Sequence, residues 1–210
     1  MKYSAPFAIV FALVLTLAPQ AEAQTSPFRL GLSGGAAASS LGGSSVQVGN
    51  STWGGMVGAF GTYRPARQTS IGFEVNWVQK GGDNVAFTQG ETQDIQLQYI
   101  EFPLTIGYVN SSSGWDTGLY IGISLGFQIS CKVKGSSSGS STDCEDTTLS
   151  NPNSMDWSIP FGFAFARNLG GSSLGLDIRY SLGLSDIFEN SAARNRSWQF
   201  RAIWAVPIDG

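Results

Sequence analysis

The run Leu119-Tyr-Ile-Gly-Ile-Ser-Leu-Gly-Phe-Gln-Ile129 alternates without a break: the six odd positions are apolar, and Tyr120, Gly122, Ser124, Gly126 and Gln128 lie between them. A period of two places all six apolar side chains on one face of an extended strand. The pattern recurs on both sides of this run. Ile71 to Trp77, Ile100 to Tyr108, Trp157 to Phe165, Leu174 to Leu182 and Trp198 to Val206 alternate in the same way, and Phe28 to Ala38 and Trp53 to Tyr63 do so more weakly. That makes eight expected strands, each apolar on one face.

The connectors decide how the strands assemble. In chain order they are Ser39 to Thr52, Arg64 to Gln68, Gly81 to Gln93, Asn110 to Asp116, Lys132 to Ser154, Asn168 to Gly171 and Gly183 to Asn195, so long and shorter ones alternate. In an up-and-down antiparallel barrel every second connector falls at the same end. One rim then carries long loops and the other carries turns, which is the asymmetry of outer-membrane barrels. The expected fold is therefore all-β, an eight-stranded antiparallel up-and-down transmembrane β-barrel with long outer loops and short periplasmic turns. A lipocalin-like soluble barrel that binds hydrophobic ligands alternates too, with its apolar face inward, and is the competing reading. Composition separates the two. The polar face is mostly Gly and Ser with single charges of both signs, whereas a water-facing surface is rich in Lys and Glu. Aromatics also gather near strand ends (Trp53, Tyr63, Trp77, Tyr99, Tyr108, Trp115, Trp157, Trp198, Trp204), as girdles at two membrane interfaces do.

The chain of 210 residues carries 13% charged residues, half the usual share, with a net charge of −3 and no histidine. Nucleic acid is not an expected partner without a basic block. The missing histidine removes the commonest general base and zinc ligand, so no catalytic residue, cofactor or metal is expected. Lys2, the apolar stretch Phe7 to Ala18 and the small residues of Ala21-Glu-Ala23 read as a signal peptide over residues 1–23, leaving a barrel domain over residues 24–210. Export favours a disulfide between the two cysteines, Cys131 and Cys144, which flank a Gly/Ser-rich stretch in the longest expected loop. Asp143, Glu145 and Asp146 beside it lack EF-hand spacing and read as a solvated acidic loop.

The strand phases turn Arg29, Glu74, Glu101, Asp156, Asp177, Arg179 and Arg201 to the polar side, so they are expected to share the lumen. Eight strands enclose only enough space for side chains, and these charges must pair there or carry a desolvation cost of several kcal/mol each. An ion-pair network that plugs the barrel is the expected outcome, in preference to a gate. Gly122, Gly126, Gly162 and Gly175 fall on the same face. Pro103 in mid-strand suggests a bulge. Arg194 and Arg196, at the top of the last strand, are candidates for lipopolysaccharide phosphates.

Tyr99-Ile-Glu-Phe-Pro103, Met155-Asp-Trp157, Asp177-Ile-Arg-Tyr-Ser-Leu-Gly-Leu-Ser-Asp186 and Asn195-Arg-Ser-Trp198, in that order, resemble the PorT-like outer-membrane β-barrel family of Bacteroidetes and related bacteria. The resemblance implies an accessory role in type IX-like secretion and offers no catalytic residues. The strand pattern by itself leads to the expectation of a monomeric barrel in a Gram-negative outer membrane, in contact with lipid and lipopolysaccharide and with a protein partner bound through its outer loops. The ending Pro207-Ile-Asp-Gly210 departs from the terminal aromatic common in such barrels.

Overall fold

The computed structural model describes residues 27–44, 46–47, 50–87, 92–135, 141–144, 152–188 and 192–208. The expected signal peptide, Glu145 and Asp146 lie outside the described residues. The strands are β1 (Phe28–Gly42), β2 (Val46–Gln47), β3 (Thr52–Ala66), β4 (Thr69–Phe87), β5 (Thr92–Ser112), β6 (Trp115–Gly135), β7 (Ser141–Asp143), β8 (Met155–Asn168), β9 (Ser173–Gly183) and β10 (Arg194–Ile208). All but the short β2 and β7 form the wall. Neighbours pair antiparallel in the order β4-β3-β1-β10-β9-β8-β6-β5, and β4–β5 pairing closes the ring. The first and last strands seal against each other from Phe28↔Ile208 to Gly42↔Arg194.

The apolar face of each strand points outward. Leu119 is 63% exposed and Ile123 55% exposed, while Ser124 between the same strands is 2% exposed. This orientation is the reverse of what a lipocalin-like binder needs, and it overturns that alternative. Aromatics form two bands on the outside. Phe28 stacks on Tyr63 and Trp115 on Phe165 near the turn side, while Trp53 meets Phe200 and Tyr180 meets Trp198 near the loop side. Tyr99 is not among them. Its parity turns it inward, and it is fully buried.

Several strands run further than the alternation implies. The expected connector Gly81 to Gln93 is mostly strand, since β4 continues to Phe87 and β5 begins at Thr92. The connector Asn110 to Asp116 shrinks to a two-residue turn, with Ser112 paired to Trp115 and positive φ at Ser113 (51°) and Gly114 (78°), as a type I′ hairpin demands. The strands outrun the alternation because their polarity inverts. Within the belt Trp77, Ile100 and Phe127 point out and Asn76, Glu101 and Gly126 point in. Above it Val78, Ile95, Leu97 and Val133 are buried inside, while Gln96 and Lys132 are exposed. A bulge in β6 contributes, because the register shifts between Gln98↔Ser130 and Tyr99↔Gln128 and turns odd positions inward from Cys131 onward. Pro103 produces no bulge. The β4–β5 ladder skips from Phe73↔Leu104 to Asn76↔Glu101 in unchanged register, as expected where a residue lacks an N–H.

Cys131 lies in β6 rather than in a loop, and its bond to Cys144 ties the end of β7 to the tall β6 wall. The loop-side end of the barrel is filled by a small apolar core. Leu41, Val78, Val85, Ile95 and Leu97 surround Ile187 and Phe188, which fold in from the β9–β10 connector and are each 2% exposed. That connector is fixed by hydrogen bonds from Ile187 N to Ala193 O and from Asn153 N to Ile187 O, both 2.7 Å.

Candidate functional site in the barrel lumen

Below the apolar cap the lumen is organised in three levels. The middle level brings together Glu74 from β4, Asp177 and Arg179 from β9 and Arg201 from β10. Arg201 Nη1 donates to Glu74 Oε2 at 2.6 Å, and its Nε and Nη2 donate to Asp177 Oδ1 at 2.9 and 2.7 Å. Arg179 forms an ion pair with Glu74 through Nη2 and a second hydrogen bond from Nη1 at 3.1 Å. Tyr120 completes the cluster by donating to Asp177 Oδ2 (2.7 Å) and accepting from Arg179 Nε (2.9 Å). Two guanidiniums face two carboxylates, and each forked donor meets an oxygen acceptor, which is the arrangement that makes burial of four charges tolerable. Gly162, directly across from Tyr120, is required by this packing, since a Cβ there would stand 2.6 Å from the Tyr120 hydroxyl oxygen.

The level nearer the loops holds Glu101 and Asp156 with a cation the sequence reading missed. Lys80 forms an ion pair with Glu101, and its Nζ lies 3.9 Å from Asp156 Oδ2 and 5.5 Å from the Tyr99 ring centroid. Asp156 also accepts from Asn195 Nδ2 and Ser185 Oγ, both at 2.8 Å, and Asn195 donates to the Tyr99 hydroxyl at 3.2 Å. Lys80 continues the inward parity of Glu74, Asn76 and Val78. Extending β4 past Trp77 would have found it.

Arg29 stands apart from both groups, on the turn side. Its Nη1 donates to Asp116 Oδ2 at 2.9 Å and to Asn168 Oδ1 at 3.3 Å, and Arg64 Nη2 donates to the same Asp116 oxygen at 2.8 Å. Arg64 and Asp116 were read as connector residues, and only their strand phase, once β3 and β6 are extended, turns them inward. Five cations (Arg29, Arg64, Lys80, Arg179, Arg201) thus meet five carboxylates (Glu74, Glu101, Asp116, Asp156, Asp177) in these three clusters. Between the middle and turn-side levels lies a cavity of 140 Å³.

On the outside, Arg194 and Arg196 follow the outward parity of Trp198 at the loop-side edge of the belt. Arg194 Nε donates to Asp186 Oδ1 at 3.0 Å, with both side chains a little under half exposed. Among the described residues no group of three His, Cys, Asp or Glu is placed to hold a metal ion.

No curated protein matches this chain by sequence. Among solved structures it is similar to outer membrane protein OprG from Pseudomonas aeruginosa, with a TM-score of 0.58, 9% identity and coverage of 90% of this chain and 99% of that one. It is likewise similar to Neisserial surface protein A, with a TM-score of 0.53, 14% identity and coverage of 87% and 98%. At such identities the likeness is one of fold. Residues 20–189 match the outer membrane protein beta-barrel domain family, and together with the closed ring of eight strands and its outward apolar belt this establishes that the chain belongs to that family.

Proposed function

We propose that this protein is a non-enzymatic, monomeric barrel of a Gram-negative outer membrane whose lumen is sealed and whose working surface is its loop-side rim. Residues 1–23 serve as the export signal and residues 24–210 as the barrel domain. The observation that carries the reading is the double closure of the lumen, by the buried Ile187 and Phe188 at the loop side and by the Glu74, Arg179, Arg201, Asp177 cluster below them. A barrel blocked in this way does not conduct. It offers the envelope a stable outer wall and a raised rim, where β5 and β6 reach 21 residues each against 11 for β9. Glu101 and Asp177 are each taken up by a cation, in different clusters, so they do not form a carboxylate pair. Outer-membrane lipid covers the belt, and Arg196, exposed just above Trp198, contacts lipopolysaccharide phosphate.

Within the family we place the chain among the PorT-like barrels. What supports this is that motif residues far apart in sequence meet: Tyr99, Asp156 and Asn195 share one hydrogen-bonded group, and Asp177 and Arg179 share the next. An accessory role in type IX-like secretion is the second reading. A deletion strain with normal secretion removes it. The main reading is tested in planar lipid bilayers, where the purified protein should give no stable conductance steps; reproducible single-channel steps would contradict a sealed lumen.

A further inference from the structure

The turn-side level of the lumen carries one cation too many, and the compensating extra carboxylate stands at the far, loop-side level, where Lys80 alone meets Glu101 and Asp156. Two guanidiniums, Arg29 and Arg64, converge on one oxygen of one carboxylate, Asp116 Oδ2, at 2.9 and 2.8 Å. The second oxygen of Asp116 is taken by the Ser111 hydroxyl. The middle level pairs two cations with two anions, so nothing there neutralises the extra positive charge. Arg29 is nine-tenths buried, and its Nε has no hydrogen-bond partner among the described residues. Leaving such a donor unmet is costly, and the ordinary partner of a guanidinium edge is an oxyanion that takes two parallel hydrogen bonds.

There is room for that oxyanion. Arg29, Arg64 and Asp116 line the 140 Å³ cavity, whose far end reaches the middle cluster and whose sides mix small polar residues, Thr62 and Ser70, with apolar ones, Phe60 and Val109. A single water needs about 10–15 Å³, so the space has room for several waters or one small solute. Solvent reaches the arginines, since Arg29 and Arg64 keep 10% and 16% of their side-chain exposure. The loop-side end is closed by the apolar core, so entry is from the turn side, which faces the periplasm in barrels of this kind.

The geometry points to a binding site for a small oxyanion, a phosphate or carboxylate, held by Arg29 and Arg64 in the turn-side cavity of the barrel. Asp116 occupies the same guanidiniums in the unliganded protein and is thus a competitor as well as an anchor. Glu74 and Asp177, at the far end, are neutralised by Arg179 and Arg201 and keep the ligand near the mouth. The site works from the periplasmic side whatever the loop-side rim contacts, so it does not depend on the rim reading.

The test is calorimetric titration of the membrane-extracted protein in nonionic detergent, in chloride-poor buffer, with inorganic phosphate in one arm and succinate in the other. Saturable binding of one equivalent in either arm is expected, and the tighter arm assigns the class. Arg64→Gln should weaken it at least about tenfold, the usual effect of losing a charged hydrogen-bond partner. Asp116→Asn should tighten it severalfold, because the competing carboxylate is gone. A heat-dependent gel shift retained in each variant separates lost binding from lost folding, and Arg64→Lys, which keeps the charge, serves in place of any variant that fails to fold and should bind more weakly than the unaltered protein. No saturable binding in either arm, or binding of equal strength in the unaltered and Arg64-substituted proteins, overturns the proposal.

Discussion

The membrane belt and the loop-side rim are built from the same strands with opposite polarity. In the belt, β4, β5 and β6 show Phe73, Leu104 and Ile123 to the outside, each at least half exposed, and turn Glu74, Glu101 and Ser124 inward. In the rim, the same three strands bury Val78, Ile95, Leu97 and Val133 and leave Gln96 and Lys132 in water. Solvent decides the difference. Hydrocarbon surrounds the belt, so the wall carries the apolar groups and polar groups must find partners inside. Water surrounds the rim, so it folds like a soluble domain around an apolar core. The boundary falls between Trp77 and Gln79 on β4 and between Ile100 and Gln98 on β5.

Substitutions of like kind in the two zones should therefore have unlike effects. The largest is expected inside the belt. Glu74→Ala removes the carboxylate shared by Arg179 and Arg201 and leaves them short of a partner, a loss of about 3–5 kcal/mol. Urea unfolding from lipid vesicles reads it, and a loss under 1 kcal/mol would mean that the cluster is slack. On the outer face of the belt, Ile123→Arg should cost about 2–4 kcal/mol in the same assay and lower the membrane-assembled fraction. In the rim the identical side chain should be nearly free: Gln96→Arg, on the exposed face of β5, is expected within about 0.5 kcal/mol of the unaltered protein. An equal penalty at positions 96 and 123 would erase the boundary. The smallest effect belongs to Ser124→Ala. Ser124 is buried and its hydroxyl has no hydrogen-bond partner among the described residues, so its removal should be neutral or slightly stabilising, by no more than about 0.5 kcal/mol.

The same contrast explains what could be read from the chain alone. The belt's outer face needs only apolarity, every second residue, so Leu119 to Ile129 declares itself and fixes the strand phase. The inversion at the rim removes that signal, and residues 81–93 then look like a loop although β4 and β5 occupy most of them. Strand phase was enough to turn Glu74, Asp177, Arg179 and Arg201 inward. It was not enough to name their partners, because pairing depends on which strands become neighbours across the lumen: Glu74 lies 105 residues from Arg179 and 127 from Arg201. Lys80, Arg64 and Asp116 were missed for a simpler reason, since each sits where a strand was ended too soon. Ile187 and Phe188 carried no legible sign at all. Two apolar residues in a polar connector are unremarkable until the connector folds back over the barrel mouth.

The central claim is a closed barrel held in the outer membrane with its apolar face toward lipid. The most direct measurement is to fractionate expressing cells and run the outer-membrane fraction in detergent on a gel, with and without boiling. The account predicts that the protein is found in that fraction and changes mobility only after heating, because the sealed ring resists the detergent until then. A water-soluble protein whose mobility is the same with and without boiling would contradict it.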